Sequence, residues 1–102
     1  MAKVETQDHK KEKTVKVTVS YLPAPEAFEK RYEPDTLMST VRTEAMAHFG
    51  VQNYTDRDQH EFFLELDGGR ITDYSVTLAG LLGEKPKKAE FDLVEQVTAG
   101  GV

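Results

Sequence analysis

The sequence has 102 residues, 38% of them hydrophobic and 30% charged, which is enough to bury one small core and too little to build a second. Thirteen Lys and Arg residues against 18 Asp and Glu residues give a net charge of −5, so the chain has no general attraction for nucleic acid or for an anionic membrane. Because there is no cysteine, a disulfide framework, a thiolate metal site and a cysteine nucleophile are excluded. The lack of an apolar run of about 20 residues and of a signal-like N-terminus predicts a soluble cytoplasmic protein.

Residues 1–13 form the first region of the chain, and they are almost entirely polar or charged. Because so few apolar side chains are available to offset the entropy of ordering, we expect a disordered charged arm. One globular domain is predicted over 14–97, followed by a flexible tail at 98–102. The accessible lysines of the arm are candidate acceptors for chain formation, namely Lys3, Lys10, Lys11 and Lys13.

Two strands joined by a turn are predicted at the start of the domain. Apolar and polar residues alternate strictly over 14–21, which is the pattern of a half-buried strand. Two prolines at 22–25 end that strand, because proline fixes φ and has no N–H to donate. A return strand is expected over 27–32. The side chains expected to point into the core are Val15, Val17, Val19, Tyr21, Phe28 and Tyr32.

One long amphipathic helix is predicted over 37–49. Thr36 stands where its hydroxyl can cap the free N–H groups of the first turn. Gly50 follows at the position where a left-handed residue usually ends such a helix. The apolar stripe of the helix comprises Leu37, Met38, Val41, Ala45, His48 and Phe49.

The second half of the domain is predicted to be mainly extended. A polar loop at 51–60 leads to a strand over 61–66, and the sequence Asp-Gly-Gly-Arg at 67–70 is typical of a tight hairpin turn. A short turn of helix is expected at 77–83, before a last strand at 89–97. The inward side chains of these two strands are Phe62, Leu64, Leu66, Ala89, Phe91 and Leu93.

The order of these elements indicates an α+β fold. Only one helix is long enough to cross over a sheet, which excludes a doubly wound fold. A mixed sheet of four to five strands, with the helix packed across one face, accounts for the predicted elements. An arrangement with the first and last strands as central, parallel neighbours requires both to be apolar on the side that faces the helix, and the valines of the first strand and Phe91 and Leu93 of the last meet this requirement.

The chain resembles the ubiquitin-like β-grasp family over roughly 14–101. The resemblance depends on the element order, on the hairpin turn described above, on Pro-Asp-Thr-Leu at 34–37 opening the helix, and on the terminal Gly100-Gly101. In character the chain is similar to the bacterial ubiquitin-like proteins that accompany activating enzymes, conjugating enzymes and metal-dependent JAMM-type peptidases.

This resemblance implies that the protein is a modifier and not an enzyme. Val102 would be removed, the Gly101 carboxylate would be adenylated and passed to enzyme cysteines as a thioester, and an amide bond would then form with an amine of a target protein. The implied partners are an activating enzyme, a conjugating enzyme, a JAMM-type peptidase and the target proteins. The implied cofactors, ATP and the peptidase zinc, belong to those partner enzymes, and none is bound by the chain itself.

The tail suits such a role in physical terms. Four extended residues reach on the order of 13 Å beyond the last strand, so they can enter an active site that the globular body cannot. Gly100 and Gly101 lack a Cβ, which lets catalytic groups approach the carboxylate. Where the family's best-known member has arginines before the diglycine, this chain has Glu-Gln-Val-Thr-Ala at 95–99, which suggests a dedicated activating enzyme.

A partner-binding surface is predicted on the sheet face opposite the helix. Alternation points Phe63 outward from its strand and Val94 outward from the last strand, so the two side chains can meet there. In the family that this chain resembles, the same face carries an apolar patch that docks partners. An exposed aromatic side chain beside a valine is a suitable start for such a patch.

Two other functions use the same fold. The protein can be a non-covalent β-grasp interaction module whose tail is inert, or a sulfur carrier through a C-terminal thiocarboxylate. The carrier ranks last, because such proteins usually end at the diglycine and are shorter. We expect no catalytic residue and no metal site, because the serines lack a nucleophile motif and the histidines share no ligand spacing with carboxylates. The net negative charge argues against a nucleic-acid or membrane partner. The histidines are His9, His48 and His60.

Overall fold

The computed structural model describes residues 14–83 and 86–100. The predicted arm at 1–13 lies outside the described residues, as do Gly101 and Val102. In the described chain, no helix is long and apolar enough to cross a membrane. The elements are, in chain order, β1 (Val15–Tyr21), β2 (Phe28–Tyr32), α1 (Met38–Phe49), β3 (Tyr54–Thr55), β4 (Gln59–Leu66), β5 (Gly69–Arg70), α2 (Leu78–Leu82) and β6 (Lys88–Thr98).

All these strands belong to one mixed sheet in the order β2-β1-β6-β4-β3, with β5 paired to β4 outside that path. β1 and β6 are parallel neighbours at its centre, in a register that places Val19 beside Phe91. The other strand pairs are antiparallel. The prediction of an α+β fold is therefore confirmed, and the first and last strands have the central, parallel arrangement with which their apolar sides are consistent.

The hydrophobic core lies between this sheet and α1. β1 alternates between buried valines and less buried polar residues, and β6 contributes every second residue of its first half. The predicted inward residues of β1, β4 and β6 are buried, except that Tyr21 and Leu66 are half-buried and pack against the core from its rim. Tyr32 is buried and Phe28 packs half-buried against the same cluster, as predicted for β2. The largest fully buried side chains are Val17, Val19, Met38, Val41, Leu64, Leu78 and Phe91.

The start of α1 differs from the prediction. The residue that precedes the helix is Leu37, in an extended conformation, and no side chain caps the first turn, so Thr36 is not the cap. The N–H of Met38 donates instead to the carbonyl of Val76 at 2.8 Å, and the next N–H donates to the carbonyl of Tyr74 at 2.9 Å. A distant stretch of backbone therefore satisfies the free donors that a local side chain was expected to satisfy.

The buried stripe of α1 is narrower than predicted, whereas the end of the helix agrees with the prediction. Leu37 lies before the helix and is 43% exposed. His48 is exposed, and its ring lies 5.2 Å from the ring of Phe28 and 4.9 Å from that of Phe49. Gly50 ends the helix in the left-handed conformation, with φ of 71°. The buried side chains of the helix are Met38, Val41 and Ala45.

The loop predicted at 51–60 contains a strand that its polar sequence does not indicate. β3 pairs antiparallel with the start of β4, so that Tyr54 lies opposite His60 and Thr55 lies opposite Gln59. The rings of Tyr54 and His60 stack with their centroids 4.1 Å apart. The prediction of a loop was wrong here, because backbone pairing and ring stacking hold these polar residues in a hairpin without an alternating apolar pattern.

The two short connections in the second half of the domain agree with the prediction. In the hairpin after β4, Asp67 and Gly68 have φ of 53° and 81°, and two successive positive values are characteristic of a type I′ turn. β5 then pairs back with β4. The short helix α2 is capped by Thr77, whose hydroxyl accepts a hydrogen bond from the N–H of Gly80 at 2.9 Å.

Candidate functional site

β6 carries the chain towards the predicted conjugation site. The pairing of β6 with β1 covers 88–93 and the pairing with β4 covers 92–98, so only Asp92 and Leu93 pair with both neighbouring strands. From Val94 onward β6 pairs only with β4, and the last pair joins Thr98 to Gln59. Thr98 is thus part of the strand, although the sequence placed it in the tail. The polypeptide therefore leaves the sheet beside the turn that connects β3 to β4.

The turn at 56–58, here called the tail turn, is closed by its own hydrogen bonds. The N–H of Asp58 donates to Oδ1 of Asp56 at 2.9 Å, and the N–H of Asp56 donates to the carbonyl of Asp58 at 3.1 Å. The first of these bonds favours the ionised carboxylate, and it holds the pKa of Asp56 below its ordinary value. The tail turn is therefore a preformed structure with its acceptor groups fixed in place.

Gly100 is held against the tail turn. Its N–H donates to Oδ1 of Asp58 at 3.1 Å, a contact between residues 42 positions apart in the sequence. A Cβ built at position 100 would collide with the backbone carbonyl of Arg57, so only glycine fits in this position. Gly101, whose carboxylate is the predicted point of conjugation, and Val102, the predicted processed residue, lie outside the described residues.

His60 joins the tail turn to β6. Its Nδ1 lies 2.7 Å from Oε2 of Glu95 on β6, and its Nε2 lies 3.5 Å from Oδ1 of Asp56. The imidazole stacks on Tyr54, and the His60 side chain is only 14% exposed. These contacts fix the tail turn to the strand that leads into the tail.

Sequence reasoning missed most of this arrangement. It placed His60 at the border of a strand and gave no role to Asp56, Asp58 or Glu95. An Asp-Arg-Asp sequence does favour a turn in which a carboxylate accepts from the backbone two residues later, so the tail turn has a local signal. Its contact with Gly100 has none, because it depends on the register of β6 against β4.

The sheet face opposite α1, here called the open face, carries the predicted Phe63 and Val94. The two residues are direct partners across β4 and β6, and both are half-buried. The guanidinium of Arg70 lies 4.7 Å from the ring centroid of Phe63, within the range of a cation–π interaction, and it also donates to Oε1 of Gln96. The structure thus brings the two predicted residues together, and their role in partner binding stays a prediction.

A second part of the open face is acidic. Glu65 and Asp92 lie directly opposite each other on β4 and β6, a position in which like charges repel. Among residues 14–83 and 86–100, no Lys, Arg or His forms an ion pair with either carboxylate. They help to line a groove of about 510 Å³ under the turn between β1 and β2, where Leu22 is 97% exposed.

The other candidate residues fall into two groups. Lys3, Lys10, Lys11 and Lys13, the predicted chain acceptors, lie outside the described residues together with His9. The two remaining histidines lie on different elements, one on α1 and one on β4. Within the part of the chain that the structure describes, no group of three or more His, Asp or Glu side chains could hold a metal ion.

Comparisons with known proteins identify the fold. No protein-family model and no curated protein matches the sequence. Among solved structures, ubiquitin from Caldiarchaeum subterraneum aligns with a TM-score of 0.62 at 20% identity, over 86% of this chain and 99% of that chain. The C-terminal ubiquitin-like domain of human 2'-5'-oligoadenylate synthetase-like protein aligns with a TM-score of 0.58 at 16% identity, over 87% of this chain and 91% of that chain. A ubiquitin-like domain of an Arabidopsis thaliana protein aligns with a TM-score of 0.54 at 13% identity, over 88% of this chain and 81% of that chain.

These similarities, together with the mixed sheet and the single long helix, show that the chain has the ubiquitin-like β-grasp fold. At identities of 20% and below, they establish the fold and no more.

Proposed function

We propose that the protein is a ubiquitin-like modifier that is processed after Gly101 and conjugated through the carboxylate of Gly101 to amines of target proteins. The observation that carries this proposal is the position of the diglycine, which comes two residues after β6, the last strand of a ubiquitin-like fold. The alignment with Caldiarchaeum ubiquitin over 99% of that chain supports it, because it leaves almost no part of that fold without a counterpart here.

In this proposal the chain supplies a carboxylate, and partner enzymes supply the catalysis. A JAMM-type peptidase hydrolyses the bond between Gly101 and Val102. An activating enzyme then uses ATP to form the acyl adenylate of Gly101 with release of pyrophosphate. A cysteine thiol of that enzyme attacks the adenylate and AMP leaves, and the resulting thioester is exchanged onto the cysteine of a conjugating enzyme, which frees the first thiol. Attack by a target amine forms the amide bond and releases the thiol. The chain has no cysteine, so every thioester sulfur belongs to a partner.

Intact mass spectrometry of the protein from its native cells tests the proposal. A species that ends at Gly101, with branched peptides linking it to other proteins, is the expected result. Full-length, unmodified protein that still ends in Val102 would contradict the proposal and leave the interaction module as the better function. A mass increase that corresponds to sulfur replacing oxygen at Gly101 would contradict it in favour of the sulfur carrier.

The sequence of the tail dictates how branched peptides must be sought. Lys88 is the last basic residue, so trypsin leaves the segment 89–101 on each modified lysine and not a short glycine remnant. Cleavage after glutamate leaves the shorter segment 96–101, because Glu95 is the last acidic residue. Gly101→Val should abolish conjugates, whereas Ala99→Val, which adds similar bulk at an exposed position, should keep the branched peptides.

The non-covalent interaction module is the second candidate, and the open face favours it. Phe63 and Val94 form an apolar pair there, and beside it lie the carboxylates of Glu65 and Asp92, which have no ion-pair partner among the described residues. A basic group on a partner would relieve the repulsion between those carboxylates. The module accounts for the open face but assigns no role to the diglycine, so we rank it second.

A further inference from the structure

Gly100 meets the tail turn in a way that requires a glycine. Its amide N–H is bound by the Asp58 carboxylate, and its Cα lies so close to the Arg57 carbonyl that no side chain fits between them. Gly100 is not among the glycines with positive φ, so the requirement comes from space and not from backbone conformation. The packing of the folded chain therefore requires glycine at position 100, independently of any requirement that partner enzymes impose.

The tail turn is formed without the help of Gly100. Its two internal hydrogen bonds join only Asp56 and Asp58, and His60 connects it to Glu95 on β6. The side chain of Asp58 takes no part in those internal bonds, so its Oδ1 is free to accept from Gly100. A single hydrogen bond typically changes an equilibrium by about two- to tenfold, so removal of the Asp58 acceptor should shift the balance between a docked and a released tail by that factor.

We propose that Asp58 is a positioning residue for the C-terminal tail: it docks Gly100 on the tail turn, and partner enzymes take up the released tail. An extended tail that enters a narrow active site must leave the Arg57 carbonyl and break the bond to Asp58. The apparent association constant of any such enzyme for the protein is the intrinsic constant multiplied by the fraction of tails that are released. This regulatory role rests on the proposed conjugation through Gly101, whereas the docking itself does not.

Amide hydrogen exchange on the full chain, followed by NMR, tests the docking directly. In Asp58→Ala the amide of Gly100 should exchange about two- to tenfold faster than in the wild type, and its heteronuclear NOE should fall. Asp58→Asn keeps an oxygen acceptor at the same place and should restore most of the protection. Asp73→Ala is the control for removal of an aspartate side chain from a different turn, in which Asp73 accepts from the N–H of Ser75.

Unchanged Gly100 exchange in Asp58→Ala would overturn the proposal, and so would equal acceleration in Asp73→Ala. Protection of the Phe91 amide in the core shows whether each variant is still folded. Because no partner enzyme is present, this measurement succeeds or fails independently of conjugation.

A carboxypeptidase provides the second measurement, since it must take the end of the tail into its cleft. Removal of Val102 by carboxypeptidase should be about two- to tenfold faster in Asp58→Ala than in the wild type or in Asp73→Ala. Equal rates in the three proteins would show that docking does not limit access to the tail, which would contradict the regulatory role.

Discussion

The two halves of β6 are constructed differently, although they belong to one continuous strand. The first half, at 88–93, pairs with β1 and reaches β4 only at its last two residues, and its alternate side chains enter the core, with Phe91 only 2% exposed. The second half, at 94–98, pairs with β4 alone and contains no buried side chain. Hydrophobic burial holds the first half in place, whereas the second is held by backbone pairing and by polar contacts such as that between Glu95 and His60.

This difference separates the residues that stabilise the fold from those that lead to the proposed conjugation site. The first half anchors the strand in the centre of the sheet, so substitutions of its buried side chains should lower the stability of the fold. The second half can expose its side chains and its free edge to partners without loss of core contacts. The docked glycine at 100 continues the polar half and extends the ordered chain beyond the sheet.

The largest expected effect comes from removing a side chain from the buried half. Phe91→Ala should lower the free energy of unfolding by about 3–5 kcal/mol, because it removes a large apolar side chain and leaves a cavity. Val97→Ala, in the exposed half, should change it by less than about 0.5 kcal/mol, since Val97 is 52% exposed. Urea unfolding followed by circular dichroism measures both. Similar losses in the two variants would refute the division of β6, and Phe91→Leu provides a milder variant if Phe91→Ala does not fold.

The same comparison can be made across the sheet, between the neighbours Phe62 and Phe63. Phe62 is buried beneath α1, whereas Phe63 is half-buried on the open face in contact with Arg70. We expect Phe63→Ala to cost about 1–2 kcal/mol, from a lost cation–π contact and a partial loss of burial, and Phe62→Ala to cost about 3–5 kcal/mol. If thermal unfolding shows equal losses, Phe63 belongs to the core, and the predicted partner surface loses its central residue.

Most of the fold could be predicted from local patterns in the sequence. The valines of β1 and the alternation around Phe91 define central strands, and the Asp-Gly-Gly-Arg turn defines the hairpin, because in each case the signal lies within a few residues. The predicted cap at Thr36 failed since the donors of α1 are satisfied by backbone carbonyls near Val76, about forty residues away.

The candidate site was predictable only in part. The outward direction of Phe63 and Val94 follows from period-two alternation, and the β4–β6 register then makes them partners. The tail turn could not be found this way, because β3 is polar and very short, and because the bond from Gly100 to Asp58 spans 42 positions. Contacts of this kind are fixed by strand register, which sequence patterns do not specify for exposed polar segments.

A smaller effect is expected for a side chain outside the sheet that accepts a hydrogen bond from the backbone of β4. Oδ1 of Asn53 accepts from the N–H of Phe62 at 2.9 Å. Asn53→Ala removes that acceptor and should lower the free energy of unfolding by about 0.5–1.5 kcal/mol. Gln52→Ala, at the exposed neighbouring position, is the control and should be close to neutral. An equal loss in both variants, measured by urea unfolding, would show that the hydrogen bond is not what stabilises this segment.

The smallest effect concerns the tail turn alone and depends on pH. The N–H of Asp58 donates to the Asp56 carboxylate, which holds the pKa of Asp56 below its ordinary value of about 4. Because the folded pKa is depressed, the bond is fully formed at neutral pH and is lost as the pH falls through that lowered pKa. The amide resonance of Asp58 should therefore shift in acid with a midpoint below the ordinary value, while the amide of Phe91 in the buried half stays unchanged. Asp56→Asn keeps the oxygen acceptor without the titration and should abolish the shift; a shift that persists in this variant would mean that another group controls the turn.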